Sequence, residues 1–199
     1  MSDRPHAPAC ERNRGPILER LREEFATVTR VLEIGSGTGQ HAAWFSPRLS
    51  GVSWVATDLE ARLPGIRAWL AEVPPALRPE VLALDVTRKP WPDPGAVDAA
   101  FSANTAHILP VEGVAAMFEG LGEALPAGAP FCLYGPFSRG GRHTGPGNEA
   151  FDRSLRTRDP GMGVRDLDWL DEIAAAAGFA TERVHPMPAD NRLVVWLKH

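Results

Sequence analysis

Short apolar runs alternate along this chain with stretches whose apolar residues recur every three or four positions. The short runs predict strands at residues 31–35, 52–58, 80–84, 97–102 and 130–134. The longer spacing predicts helices: Ile17, Leu18, Leu21 and Phe25 behind Pro16; Ala42, Ala43, Phe45 and Leu49; residues 63–73; and residues 112–125. A helix from Asp166 through Trp169, Leu170, Ile173 and Ala177, closed by Gly178, precedes two further strand-like runs, 179–187 and 192–197. Pro188-Ala189-Asp190-Asn191 is the turn between those two.

Two regions lack this order. Residues 1–15 carry Pro5 and Pro8 and end in the polar cluster Glu11-Arg12-Asn13-Arg14, which reads as a loose, lid-like arm. Residues 138–163 contain Gly140-Gly141 and Gly145-Pro146-Gly147 and read as a cap-like excursion with one short helix at 148–158. Strand and helix alternate elsewhere, which implies a parallel sheet. A length of 199 residues suits one domain.

Composition narrows the function classes. A formal charge of −4 argues against a general nucleic-acid or membrane binder. No run of eighteen apolar residues exists, and the N-terminus lacks a signal pattern. Cys10 and Cys132 form neither a disulfide framework nor a metal cluster, and His6, His143, His185 and His199 have no metal spacing. Together these suggest a reducing cytoplasm.

The chemistry concentrates in Glu33-Ile34-Gly35-Ser36-Gly37-Thr38-Gly39-Gln40. Strand, glycine turn and helix start coincide there, so backbone can approach a ligand closely and present unpaired N–H groups. The dinucleotide fingerprint wants a third glycine where Gln40 stands, and no P-loop motif occurs. Asp58 ends the second strand about twenty residues on, where such folds place a ribose-binding acid. Asp85 follows the third strand.

E-x-G-x-G-x-G after the first strand is similar to the first motif of class I S-adenosylmethionine-dependent methyltransferases. The acids after strands two and three and the closing hairpin extend that likeness over most of the chain. Ala9-Cys10-Glu11-Arg12-Asn13, Gly37 to His41, Ser102-Ala103-Asn104 with His107-Ile108, Leu133 to Phe137, and Phe151-Asp152 with Arg158-Asp159-Pro160 resemble, more narrowly, a methyltransferase-like family of unknown function. The resemblance implies a Rossmann-like, seven-stranded, mostly parallel sheet with a C-terminal antiparallel hairpin and helices on both faces. It also implies that the glycine loop carries the methionine end of the cofactor. The acid after strand two would hold the ribose hydroxyls, and the next acid would lie beside the adenine. The cofactor-binding set so implied is Glu33, Gly35, Ser36, Gly37, Gly39, Asp58, Leu59, Asp85, Val86 and Asn104.

Methyl transfer needs a nucleophile placed in line and water kept away, and a base only if the nucleophile arrives protonated. His107, just past strand four, is the base candidate; the alternative is a packing or capping histidine. Tyr134 can fix a substrate through its hydroxyl or cover the core, and Asn104 can bind cofactor or substrate or form an Asx turn. His41 opens the helix under the loop, where it can cap or pack. Arg12, Asn13, Phe137, Arg153 and Arg156 are the substrate-binding candidates. The arginines, with Arg158, can clamp a carboxylate or phosphate, or can lie solvated beside local acids. The expectation is a methyltransferase acting on a small molecule, an anionic one if those arginines form a clamp. The competing functions are a non-catalytic S-adenosylmethionine-binding or interaction protein and, with less support, an NAD(P)-dependent oxidoreductase. Substrate and oligomeric state are not legible.

Overall fold

The computed structural model describes residues 4–199. The start of the expected arm, residues 1–3, lies outside the described residues. Two compact units divide the chain, Met1–Ser102 and Ala103–His199.

In the first unit, helix α1 (Pro8–Glu24) is followed by β1 (Arg30–Ile34), α2 (Gln40–Phe45), β2 (Ser53–Asp58), α3 (Leu63–Leu70), β3 (Glu80–Ala83) and β4 (Ala99–Ala103), whose last residue falls in the second unit. The strands are parallel in the order β3-β2-β1-β4. Register sets Ile34 opposite Thr57 and Asp58 opposite Ala83, so the carboxyl ends of β1, β2 and β3 finish at one edge. Phe45, Trp54 and Phe101 fill the core beneath, with ring centroids 5.6 to 5.8 Å apart.

The loose arm gives way to helix. Pro8 occupies the first turn of α1, where the fixed φ is favourable and the missing N–H had no partner to lose. Pro16, read as a helix start, lies inside α1, beside exposed Arg12 and Gly15, where water can take the carbonyl it frees. Ile17, Leu18 and Leu21 then form the buried stripe as expected, and Phe25 caps it. Ahead of Pro8 the backbone is pinned: Trp69 Nε1 donates to Pro5 O at 2.7 Å, and Arg4 pairs with Glu72 at 2.5 Å.

The second unit contains α4 (Val111–Ala124), β5 (Pro130–Arg139), β6 (Arg142–His143), α5 (Pro146–Arg158), β7 (Arg165–Asp166), α6 (Leu167–Ala176), β8 (Phe179–Pro186) and β9 (Asn191–Lys198). Strand β9 lies between β5 and β8 and is antiparallel to both, which is the expected closing hairpin. Four strands on the main path of the first unit and three here make the expected seven. Phe118, Phe131, Phe179 and Trp196 pack as the core, and Trp196 Nε1 donates to Asp171 at 2.9 Å.

Strand β5 runs five residues past its expected end at Tyr134, because Gly135 and Pro136 pair onward with Arg192 and Asn191. Its extension holds β6 antiparallel and β7 parallel, so the 138–163 excursion is more regular than its glycines suggest. Asp166 caps α6 by accepting the N–H of Asp168, as its position predicts. Among the described residues no helix is long and apolar enough to cross a membrane.

Candidate functional site

The glycine turn follows β1 directly. Gly35, Gly37 and Gly39 have φ of 71°, 60° and 85°, which explains three glycines at alternate positions. A Cβ on Gly39 would stand 2.8 Å from Ile66 Cα, so this glycine also lets the loop pack on α3. A Cβ on Gly37 would meet nothing within 4 Å; the loop is open on that side.

Two carboxylates brace this turn. Glu33 is buried at the end of β1, and its Oε2 accepts from Ser36 Oγ at 2.8 Å and Trp54 Nε1 at 3.0 Å. Burial is the main reason its pKa rises to about 7; the Trp54 and Ser36 bonds oppose that rise, and the charge of Asp58 adds to it. Asp58 sits half-buried at the end of β2 and accepts the N–H of Gly37 and of Leu59, each at 2.7 Å. Leu59 itself is 52% exposed, an apolar side chain presented beside an acid. Asp85 accepts from Thr87 N–H and Oγ1 at 3.0 and 2.7 Å, and these bonds hold its carboxyl below the usual range; Val86 behind it is buried.

Gln40, where a dinucleotide site needs glycine, is buried and makes a different structure. Its Oε1 accepts from Ala7 N–H at 2.6 Å and Thr38 Oγ1 at 2.9 Å, tying the start of α1 to the glycine turn. Its Nε2 is buried without a partner among the described residues. His41 is committed to packing: its Nε2 lies 2.7 Å from Asn13 Oδ1, its Nδ1 3.9 Å from Cys10 Sγ, and burial lowers its pKa to about 4. Asn13 therefore points into the α1–α2 contact. Arg12 is exposed on α1.

In the second unit Asn104 adopts φ 59°, and its N–H donates to Tyr134 O at 2.9 Å. Tyr134 and Phe137 are both buried in β5. His107 is buried at 6% exposure, edge-on to Phe151 at 5.2 Å, and its ring nitrogens make no hydrogen bond among the described residues. Burial, and then the charges of Arg165 and Arg158, lower its pKa to about 4. The ring is thus neutral near pH 7, a hydrogen-bond acceptor and only a weak base.

Arg153 and Arg156 are not convergent. Each pairs with the acid four residues earlier, Glu149 at 2.7 Å and Asp152 at 3.0 Å, as the spacing allows. The cation that sequence reasoning missed is Arg165, which is buried and grips the 105–109 turn. No periodicity marks it. Trp54 was also missed as a partner of the loop, through its bond to Glu33; only its apolar character was visible.

Parallel strands ending in a glycine turn, with acids after β2 and β3 and a closing antiparallel hairpin, define the class I methyltransferase fold. Solved structures agree. An O-methyltransferase family protein from Burkholderia thailandensis superposes with TM-score 0.79 at 14% identity, over 92% of this chain and 55% of that one. The mitomycin 7-O-methyltransferase MmcR gives 0.83 at 16%, over 96% and 54%. A structure of PigF with SAH gives 0.80 at 18%, over 94% and 56%. This chain spans about half the length of the solved structures it matches. It belongs to the family described as Protein of unknown function (DUF938), whose model matches residues 4–198.

Proposed function

We propose that this protein is an S-adenosylmethionine-dependent methyltransferase acting on a small molecule. The observation that carries this is the turn 35–39, three left-handed glycines open at Gly37 and braced by Glu33 and Asp58. The donor set fits the cofactor: Asp58 and Asp85 offer acceptors for hydroxyl and amino groups, Leu59 offers exposed apolar surface, and buried Gln40 keeps an unused amide donor. Gly35, Ser36, Gly37, Gly39, Asp58, Leu59, Asp85 and Val86 would hold it.

When bound, the cofactor supplies a methyl group on a sulfonium for in-line displacement. The chain's own residues do the rest. Glu33 and Asp58 fix the loop before binding, so less ordering is left for the ligand to impose. His107, neutral and without a hydrogen-bond partner among the described residues, can accept a hydrogen bond from an acceptor's hydroxyl and orient it; with a pKa of about 4 it is a weak base. Tyr134 and Phe137 are buried in β5, which favours the core-covering alternative for both over a reacting role.

Gln40 in the third-glycine position counts against a dinucleotide, whose fingerprint needs a glycine there; its buried side chain is instead tied to Ala7 and Thr38. Incubating the protein with methyl-labelled cofactor and fractionated cell extract tests the proposal. Label transferred to a small molecule supports it. Cofactor bound with no label transferred to any fraction would instead favour a non-catalytic binding protein.

A further inference from the structure

Arg165 and Arg158 both bring positive charge to bear on His107, and Asp152 and Glu112 act on Arg165 only from beyond ion-pair distance. Arg165, 6% exposed, donates Nε to Ala106 O at 3.0 Å and Nη2 to Leu109 O and Gly161 O at 2.5 and 2.6 Å. Among the described residues no carboxylate oxygen lies within 4.0 Å of it, and its Nη1 makes no hydrogen bond. A buried guanidinium is costly unless its charge is met, and carbonyl dipoles meet only part of it. Arg158 is exposed and has Met162 Sδ, at 3.1 Å, as its hydrogen-bond partner.

The neighbouring acids are occupied. Asp152 takes Arg156 at 3.0 Å, His143 at 3.8 Å and the N–H of Val164 at 2.7 Å. Asp159 accepts the N–H of Gly161 at 2.8 Å, and Glu112 is exposed on α4. Around the same imidazole the surface is apolar: Phe151 is 39% exposed and Ile108 40%. The ring nitrogens of His107 make no hydrogen bond among the described residues, and Gly163 N–H fixes its backbone by donating to His107 O at 3.0 Å. A buried cation held at contact distance by carbonyls alone, an imidazole whose ring nitrogens make no hydrogen bond among the described residues, and two exposed apolar side chains therefore occur together within one unit.

We propose that the acceptor is a small aromatic acid, whose flat apolar ring lies against Phe151 and Ile108 and whose anionic oxygen is held by Arg165 and Arg158 beside His107. This rests on the methyltransferase proposal only in calling the ligand an acceptor; the anion site stands without it.

Benzoate and its neutral isostere benzamide are the probes, titrated into the full chain without cofactor. The readout is the imidazole NMR signal of His107, assigned by its loss in His107→Gln. Benzoate shifts that signal saturably, and benzamide binds at least about tenfold more weakly, the factor that one charge-assisted hydrogen bond provides. Arg158→Gln weakens benzoate about twofold to fivefold, as expected of a screened surface charge. Arg165→Gln weakens it about tenfold and Arg165→Lys less. Should Arg165→Gln fail to fold, Arg158→Gln and Arg165→Lys carry the test. Equal binding of the two probes, a His107 signal that benzoate leaves unmoved, or full affinity in the arginine variants overturns the proposal. Calorimetry with S-adenosylhomocysteine on the same samples separates the two proposals. Benzoate binding without cofactor binding sinks only the methyltransferase, and the converse sinks only the anion site.

Discussion

The carboxylate of Asp58 clamps the glycine turn from the next strand: Oδ2 accepts the N–H of Gly37 at 2.7 Å while Oδ1 accepts that of Leu59 at 2.7 Å. The register that sets Ile34 opposite Thr57 brings the two together. An acid that would hold a sugar hydroxyl is thereby also the brace of the loop beneath it. Preorganisation of this kind lowers the ordering cost of binding.

The glycines of the loop differ in what they do, and alanine separates them. Gly39→Ala puts a Cβ 2.8 Å from Ile66 Cα at φ 85°. Gly37→Ala meets open space and bears only the left-handed strain. Urea unfolding is expected to show a loss of about 1–2 kcal/mol for Gly37→Ala. For Gly39→Ala the loss is about 1–3 kcal/mol larger, as overpacking adds to strain. Equal losses would show that α3 does not bear on the loop.

Asn13 ties α1 to α2 through His41. Removing its Oδ1 leaves the buried His41 Nε2 without its partner at 2.7 Å. Asn13→Ala is expected to lower stability by about 1–3 kcal/mol in chemical unfolding. A loss of acceptor KM at unchanged stability would instead place Asn13 in the substrate site.

Glu33 makes stability depend on pH. Burial raises its folded pKa to about 7 from an ordinary 4.5, so the folded chain holds the proton more tightly than the unfolded one. Its contribution is full below about 4.5 and is lost as pH rises through about 7. Glu33→Gln keeps an oxygen for Trp54 and Ser36 and removes the titration, so the fall in stability across that window is expected to flatten. Unfolding curves at several pH values check this; an unchanged slope rejects it.

Legibility followed range. Strands β1 to β4 and the acids behind them were readable because apolar runs, glycine turns and carboxylates lie in neighbouring positions. Pro8 and Pro16 carry the same helix-start signature, and only the tie from Ala7 to Gln40 shows which one begins α1. Gly135-Pro136 reads as a strand end, yet β9, some fifty-five residues later, pairs straight through it. The local pairings of Arg153 and Arg156 were visible as four-residue spacings to Glu149 and Asp152. Arg165 was not, since its burial depends on carbonyls at Ala106 and Leu109, more than fifty residues away.

The surface ion pair Arg153–Glu149, whose side chains are 67% and 58% exposed, is expected to matter little. Arg153→Ala should change stability by less than about 1 kcal/mol and leave cofactor affinity as it was. A larger effect on either, by unfolding or calorimetry, would give that side chain a role beyond the helix surface.

Calorimetric titration of S-adenosylhomocysteine into the wild-type chain and Asp58→Ala is the most direct test of the cofactor site at Gly35–Gly39. Saturable one-to-one binding is predicted for the wild type, weakened at least about tenfold by the substitution, since a charged hydrogen-bond partner and the loop's brace are lost together. No heat with the wild type, or equal affinity in the variant, would contradict it.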